Sequence, residues 1–424
     1  MKFFLRLQPY NSIVIKNTSM LYLFSIASLV FPLLTLPYLT RVLSIEYYGI
    51  SAYVKSCMAY FTVFLEFGFL LSATRDIVNA NNDCQMMSQI VGAVTMAKVL
   101  LSAAALFAML AIFPFLPILG NNKLFTLLSF CAIAINALIP DYLFRGLNAM
   151  EVITYRFIVC KAISVLLTFV LVKDDSDFLL IPLLDFGSSI LALALSIGCM
   201  HKRNISLPLV SIKLALSTMI KSFTYFISDF ATTAFSALCT ILIGLYLNIT
   251  DVAYWSLSIT LVGAAQSLFS PIMNGIYPYM VSTRDLSLIK KILAIFLPMI
   301  TLACLIACLY APQLLYFVSG EKYIAAAPIF RMLLPLVLIS FPGMLCGWPS
   351  LGAINRAKEV SITSSCAVIF QIISLIILIT NNHFNIIDIV IVRTMTETIL
   401  FITRWFFCYR YRKEFTNYAR KDNI

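Results

Sequence analysis

The sequence predicts an all-α, polytopic membrane protein of about twelve transmembrane helices, arranged as two six-helix bundles in a pseudo-two-fold relation. Three observations carry that expectation. Of 424 residues, 61% are apolar and only 12% are charged, with a mean hydropathy of +0.95, whereas a soluble domain has about 25% charged residues. The apolar residues fall in runs of about twenty or more, the length at which a helix crosses ~30 Å of hydrocarbon, and they lack the period-2 alternation of a membrane barrel. Finally, Lys and Arg are distributed unevenly between alternate connections, as membrane topology requires.

Reading the apolar runs between polar breaks gives spans at 19–41, 47–72, 88–113, 121–145, 152–172, 178–200, 222–247, 252–280, 289–312, 323–348, 358–381 and 385–409. The first run follows Lys2, Arg6 and Lys16. It is too long for the apolar part of a signal peptide and lacks a small-residue cleavage site, so the first helix is expected to stay in the membrane. The longest connection divides the chain into an N-terminal bundle (1–200), a cytoplasmic connecting loop (201–221) and a C-terminal bundle with a basic tail (222–424). Pro140 and Pro342 sit at matching depths in the fourth and tenth spans. Tyr38-Leu39 before Tyr47-Tyr48 is echoed by Tyr246-Leu247 before Tyr254-Trp255. These echoes suggest a six-helix repeat, the arrangement that suits alternating access.

Orientation follows from the cations. The even-numbered connections hold Arg75, then Arg145 and Arg156, then Lys202, Arg203, Lys213 and Lys221, then Arg284, Lys290 and Lys291, and finally Arg356 and Lys358. The odd connections hold Arg41, Lys123, Lys173 and Lys322, and one of them is the acidic Lys173-Asp174-Asp175-Ser176-Asp177. Both termini are therefore expected in the cytoplasm. The net charge of +11 is this topological bias, and with no basic soluble domain it does not indicate nucleic acid. Eleven cysteines are scattered without a CxxC pair, and His201 and His383 cannot build a multi-histidine centre. Reduced cysteines, no metal and no cofactor are expected.

Ionisable residues also lie inside the spans: Lys55, Glu66, Lys98, Lys161, Asp185, Asp229, Arg331, Arg393 and Glu397. Each charge facing lipid costs at least ~2.5–3.5 kcal/mol, so together they predict a shared hydrated interior. Lys55 and Glu66 are about three helical turns apart on one face, separated by roughly 16 Å. Lys98 and Lys161 have no acid within four residues on their own helix, which makes them, with Lys55 and Arg331, candidates for meeting an anionic substrate. Glu66, Asp185 and Asp229 are candidates for proton or cation coupling, because a poorly solvated carboxylate binds protons more readily. Arg393 and Glu397, at i,i+4, are expected to form a structural pair. Pro32, Pro140, Pro271, Pro335 and Pro342 should bend or break their spans.

Three blocks carry a family resemblance: Pro37-Tyr38-Leu39-Thr40-Arg41-Val42-Leu43 with Gly49, Phe67-Gly68-Phe69 with Ser72-Ala73-Thr74-Arg75, and Tyr142-Leu143-Phe144-Arg145-Gly146-Leu147 with Met150. With the twelve-span layout, the chain resembles the bacterial O-antigen flippases of the polysaccharide transporter family. In the third block Arg145 and Asn148 stand where the family tends to have Gln and Glu. The resemblance implies a bacterial inner-membrane transporter, not an enzyme, that moves oligosaccharide units on undecaprenyl pyrophosphate from the cytoplasmic to the periplasmic leaflet. It implies membrane lipids, a polysaccharide polymerase and a chain-length regulator as partners, and it marks Arg41, Arg75 and Arg145 as portal or motif residues. A multidrug exporter of the same superfold is the alternative. A membrane polymerase or acyltransferase is a third reading, which predicts a large extramembrane loop or a catalytic His/Asp cluster that the sequence does not show.

Overall fold

The computed structural model describes residues 9–416 except 82, 382 and 383, so Lys2, Arg6, His383 and the basic end of the tail lie outside the described residues. The fold is all-α, with no strand among the described residues. Ten helical stretches there are long and apolar enough to cross a membrane. Two further helices occupy the remaining predicted spans, and one of these carries Asp388, Arg393, Glu397 and Arg404, more charge than an ordinary span.

The chain forms two compact units, Met1–Ile241 and Leu242–Ile424. The first contains α1 (Pro9–Val42), α2 (Ile45–Glu66), α3 (Phe69–Asn79), α4 (Cys84–Ile112), α5 (Pro117–Asn121), α6 (Lys123–Ala137), α7 (Asp141–Gly146), α8 (Met150–Leu171), α9 (Leu180–His201) and most of α10 (Ile212–Tyr246). Helix α10 starts inside the stretch read from sequence as a loop, because past Pro208 nothing in Ile212–Lys221 breaks a helix.

Two spans of this unit are broken. Helix α2 starts at Ser44, whose side chain accepts from the Tyr47 N–H, while the Ser44 N–H donates to Asp175 Oδ1 at 2.7 Å. It ends where Phe67 and Gly68 both take left-handed backbone, φ 44° and 72°. The chain then resumes as α3. Helix α6 ends before Pro140, which has no N–H to continue the ladder, and α7 follows. Pro32 and Pro37, by contrast, lie within a continuous α1.

The three sequence blocks that carry the resemblance turn out to be packing elements. Tyr38 donates its hydroxyl to the carbonyls of Phe169 and Val172 at 2.9 and 2.6 Å, tying α1 to the end of α8. Thr74 Oγ1 donates to the Tyr142 carbonyl at 3.2 Å, and Gly146 lies so close to Ile77 that a Cβ would sit 2.5 Å from its Cγ2. At Gly68 a Cβ would meet Tyr225 Cβ at 2.5 Å and the Phe226 backbone N at 2.8 Å, so α10 approaches this hinge to backbone contact. Phe67 stacks on Phe226 with centroids 4.6 Å apart, and the Ser72 and Ser222 hydroxyls share a hydrogen bond of 2.6 Å.

The second unit contains α11 (Ile249–Ser267), α12 (Ser270–Thr283), α13 (Leu286–Leu309), α14 (Ala311–Ser319), α15 (Ala327–Leu345), α16 (Ala357–Thr380), α17 (Ile386–Arg410) and α18 (Arg412–Thr416). Helix α11 opens with a reciprocal cap between Asn248 and Asp251. The next break falls at Leu268-Phe269, and Pro271 occupies the first turn of α12, where a missing N–H costs nothing. Pro335 and Pro342 lie within α15, which gives way to a wide turn over Cys346–Leu351.

Gly68→Ala is expected to lower the thermal unfolding midpoint of the purified protein by several degrees. Overpacking costs about 1–3 kcal/mol, and the left-handed backbone adds about 1–2 kcal/mol for a residue with a Cβ. Gly187→Ala, where nothing lies within 4 Å, is the control. Equal midpoints for the two variants would show that α10 does not press on the hinge.

Candidate functional site

The predicted interior charges of the first unit separate into two groups. One lines a cavity of about 280 Å³ built by α2, α6, α8 and α9. Helix α2 contributes Lys55, Met58 and Thr62, spaced to share one face. Helix α6 contributes Ser129 and Asn136, and α8 contributes Arg156, Cys160 and Lys161. On α9, Asp185, Ser189, Ala192 and, one turn on, Ser196 recur at helical spacing. Small side chains on that stripe let α8 approach, and Ser188 donates across to the Cys160 carbonyl at 3.1 Å.

Within the cavity Lys161 Nζ donates to Asp185 Oδ1 at 2.8 Å, and Ser164 Oγ approaches the same oxygen at 3.4 Å. Arg156 is 8% exposed; its Nη2 donates to Asp141 Oδ1 at 2.7 Å and its Nη1 to Ser196 Oγ at 2.9 Å. Lys55 has no hydrogen bond or ion pair among the described residues. Its ammonium is attracted by Asp185 and repelled by Lys161. With Asp141 neutralising Arg156 and Asp185 neutralising Lys161, the charge of Lys55 is the surplus. The side-chain amide of Asn136, exposed on the wall, also has no hydrogen-bond partner among the described residues. The cavity is therefore a cationic pocket with free hydrogen-bonding groups, the chemistry that holds an anion.

The second group is a clamp. Lys98 is 1% exposed, and its Nζ donates to Glu66 Oε2 at 3.0 Å and to the Ala137 carbonyl. Glu66 ends α2 and Ala137 ends α6, so one ammonium secures both helix breaks. A cation at a helix C-terminus also answers the carbonyls left unpaired there. The expectation that Lys98 meets an anionic substrate gives way to this role. The expected common interior for Lys55 and Glu66 also divides: they share a face of α2, but the cavity stops at Thr62 on that face and Glu66 turns to Lys98.

The remaining candidates lie elsewhere. Asp229 is exposed on α10. Arg331 donates its Nε to the Cys308 carbonyl at 2.8 Å, near the last turn of α13, and is engaged as a cap. Arg393 Nη1 donates to Glu397 Oε2 at 3.2 Å, both side chains nearly buried. Arg41 is exposed at the end of α1, and Arg75 is exposed with a loose contact of 3.8 Å to Asp76. Arg145 is half-buried in α7, and its Nε has no partner among the described residues.

Sequence reading missed two members of the first unit's site. Arg156 was counted with a cytoplasmic connection, and Asp141 was passed over. Spacing gave only a partial signal: Arg156 and Cys160, at i and i+4, share a face of α8, whereas Arg156 and Lys161, at i and i+5, point well apart and still both line the cavity. In the second unit Arg404 was passed over within the last span; it donates to the Gly343 carbonyl at 3.0 Å and to Ser364 Oγ at 3.1 Å.

The family described as "Polysaccharide biosynthesis protein" matches residues 14–284, more than half of the chain, and the chain belongs to that family. It is 27% identical over 338 residues to the "Putative O-antigen transporter" of Escherichia coli K12, covering 78% of this chain and 81% of that protein. A protein of the same name from Shigella dysenteriae is 26% identical over 283 residues, covering 62% of this chain and 66% of its own length. Among solved structures, the lipid II flippase MurJ in an inward closed conformation aligns with a TM-score of 0.69 at 13% identity, over 96% of this chain and 90% of that one. An inward-facing multidrug resistance MATE family transporter of the MOP superfamily aligns with a TM-score of 0.64 at 11% identity, over 91% and 99%. These likenesses show that the chain shares its fold with those two transporters.

Lys98→Met is expected to reduce the protein recovered in membranes several-fold, since it leaves the half-buried Glu66 carboxylate and the buried Ala137 carbonyl without their shared donor. Adding Glu66→Gln should recover part of the loss. Quantitative immunoblots of membrane fractions measure both, and undiminished Lys98→Met protein would remove the clamp from the account.

Proposed function

We propose that this protein is a flippase that carries lipid-linked oligosaccharide units of a surface polysaccharide across the bacterial inner membrane, from the cytoplasmic to the periplasmic leaflet. The observation that carries the reading is the surplus ammonium of Lys55 in the cavity of the first unit, beside the Lys161–Asp185 pair. A polyprenyl pyrophosphate head bears charge that cannot enter hydrocarbon unaided, and a cationic cavity with the free amide of Asn136 on its wall offers it a place. The named relatives and family membership support the same class of cargo.

In this reading the pyrophosphate engages Lys55 and competes with Asp185 for Lys161, while the lipid tail stays in the bilayer. Undecaprenyl pyrophosphate is the carrier, and the units delivered are taken up by a polymerase working with a chain-length regulator. Transport proceeds by alternating access with both termini cytoplasmic, consistent with the Lys/Arg bias of the connections. Asp185 is the group through which protons or cations act, because its neutralisation would free Lys161. An exporter of cationic drugs would need an unpaired carboxylate in such a cavity, whereas here the carboxylate is paired and the unpaired group is an ammonium.

Deleting the gene in a strain that makes long surface polysaccharide should abolish those chains, and a plasmid copy should restore them. Unchanged chains in a deletion strain without a second copy would end this reading. Among variants present at normal levels, Lys55→Ala should fail to restore long chains and Lys55→Arg should restore them in part. The exchange Lys161→Asp with Asp185→Lys should export better than either single change. Normal export by Lys55→Ala would remove Lys55 as a substrate contact.

A further inference from the structure

The second unit contains a cavity of about 550 Å³ that no ionic argument accounts for. Its size falls within the range of about 300–1,000 Å³ typical of small-molecule pockets. Its walls come from two interrupted helical stretches and one intact helix. Helix α12, which begins again after the break at Leu268-Phe269, provides Asn274 and Tyr277; the wide turn after α15 provides Trp348; α17 provides Arg404.

Gly347 in the wide turn and Gly352 just after it bring these groups together. A Cβ at Gly352 would lie 2.8 Å from Trp348 Cε3 and 3.5 Å from Tyr277 Cε2, so both rings close over a bare backbone. A Cβ at Gly347 would lie 3.0 Å from Arg404 Nη1 and 3.3 Å from its Cζ, so the guanidinium rests flat on that residue. With the Gly343 carbonyl and the Ser364 hydroxyl as acceptors, Arg404 is held in one position. The other groups are unsatisfied: Trp348 is 55% exposed, and Asn274, the Tyr277 hydroxyl and the Trp348 indole N–H have no hydrogen-bond partners among the described residues.

A large indole face beside amide, phenol and guanidinium groups suits one class of ligand well. A pyranose ring has an apolar C–H face that lies against an aromatic ring and an equatorial rim of hydroxyls that needs donors and acceptors. A Trp anchored in the lipid interface would face headgroups from the outside of a helix, whereas Trp348 lines a pocket with a fixed guanidinium. We propose that this cavity binds a sugar ring of the oligosaccharide, with Trp348 as the stacking platform and Asn274, Tyr277 and Arg404 as hydroxyl partners. The proposal rests on the flippase reading for the presence of a glycan, but it assigns a separate site to the glycan, in a different unit from the cationic cavity.

The test uses the full chain in phospholipid nanodiscs, titrated with lipid-free repeat oligosaccharide released by mild acid from the host strain's lipid-linked pool. Binding is followed by saturation transfer to the sugar protons. Trp348→Ala should weaken binding by about tenfold or more, as for a truncated aromatic anchor, and Trp348→Phe by less. Asn274→Ala, whose side chain makes no hydrogen bond among the described residues, should weaken it several-fold at unchanged protein level. No binding by the wild-type chain, or equal binding by Trp348→Ala and Asn274→Ala, would overturn the site. Export by the same variants separates the two ideas. Normal export and binding by Trp348→Ala, in a strain whose long chains still require the gene, sinks the sugar site alone. Long chains that persist in the deletion strain sink the flippase reading.

Discussion

A charge inside a membrane must be paired, hydrated or attached to a backbone group left open by a break, and the interior of this protein is arranged around that constraint. Lys98 satisfies it most completely. Two helices stop where their ladders are interrupted, at Phe67-Gly68 and before Pro140, and one ammonium reaches the carboxylate of one stop and a carbonyl of the other. Arg331 and Arg404 solve the same problem in the second unit, each donating to a carbonyl at or near a helix end. Several interior cations are thus structural, and among the described residues Lys55 is an informative exception.

Broken helices are what make both cavities available. A continuous span satisfies its own backbone and presents only side chains, whereas an interrupted one turns within the membrane and leaves room where it turns. The turn must then be supported from outside, by Lys98 and α10 in the first unit and by Arg404 in the second. The glycines follow from this. Gly68 and Gly347 stand where a neighbouring backbone or guanidinium comes within contact distance, and Gly187 and Gly198, on an open helix surface, meet nothing.

Much of the fold was legible because a single physical requirement, twenty apolar residues per crossing, writes itself along the chain. Most span positions agree with the helices to within a few residues; the largest differences, the early starts of α1 and α10, arose where polar residues continue a helix beyond the apolar run. The charges were legible as a set but not as partners. Glu66 and Lys98 are 32 residues apart in sequence, Lys161 and Asp185 24, and nothing in spacing pairs residues on different helices. Arg156 was misassigned because a cation near a span's edge reads as a topology signal, and its partner Asp141 lies on a different helix. Trp348 and Arg404 carried no signal, since a lone aromatic or arginine near a span's end is ordinary in a membrane protein.

The charge balance of the first cavity also bears on turnover. A transporter must hold its cargo and then let it go, so a pocket that meets a pyrophosphate with three unopposed cations would bind it too firmly to release. At an effective dielectric of about 20, each unit-charge contact at 4 Å is worth about 4 kcal/mol. Here only Lys55 offers that attraction outright, and Lys161 must first leave Asp185, which offsets most of its gain. In the proposed reading binding is moderate and adjustable through one carboxylate: a neutral Asp185 would leave two available ammonium groups, a charged Asp185 only one. In that reading a single protonation step at Asp185 would change affinity without moving any cation out of the cavity.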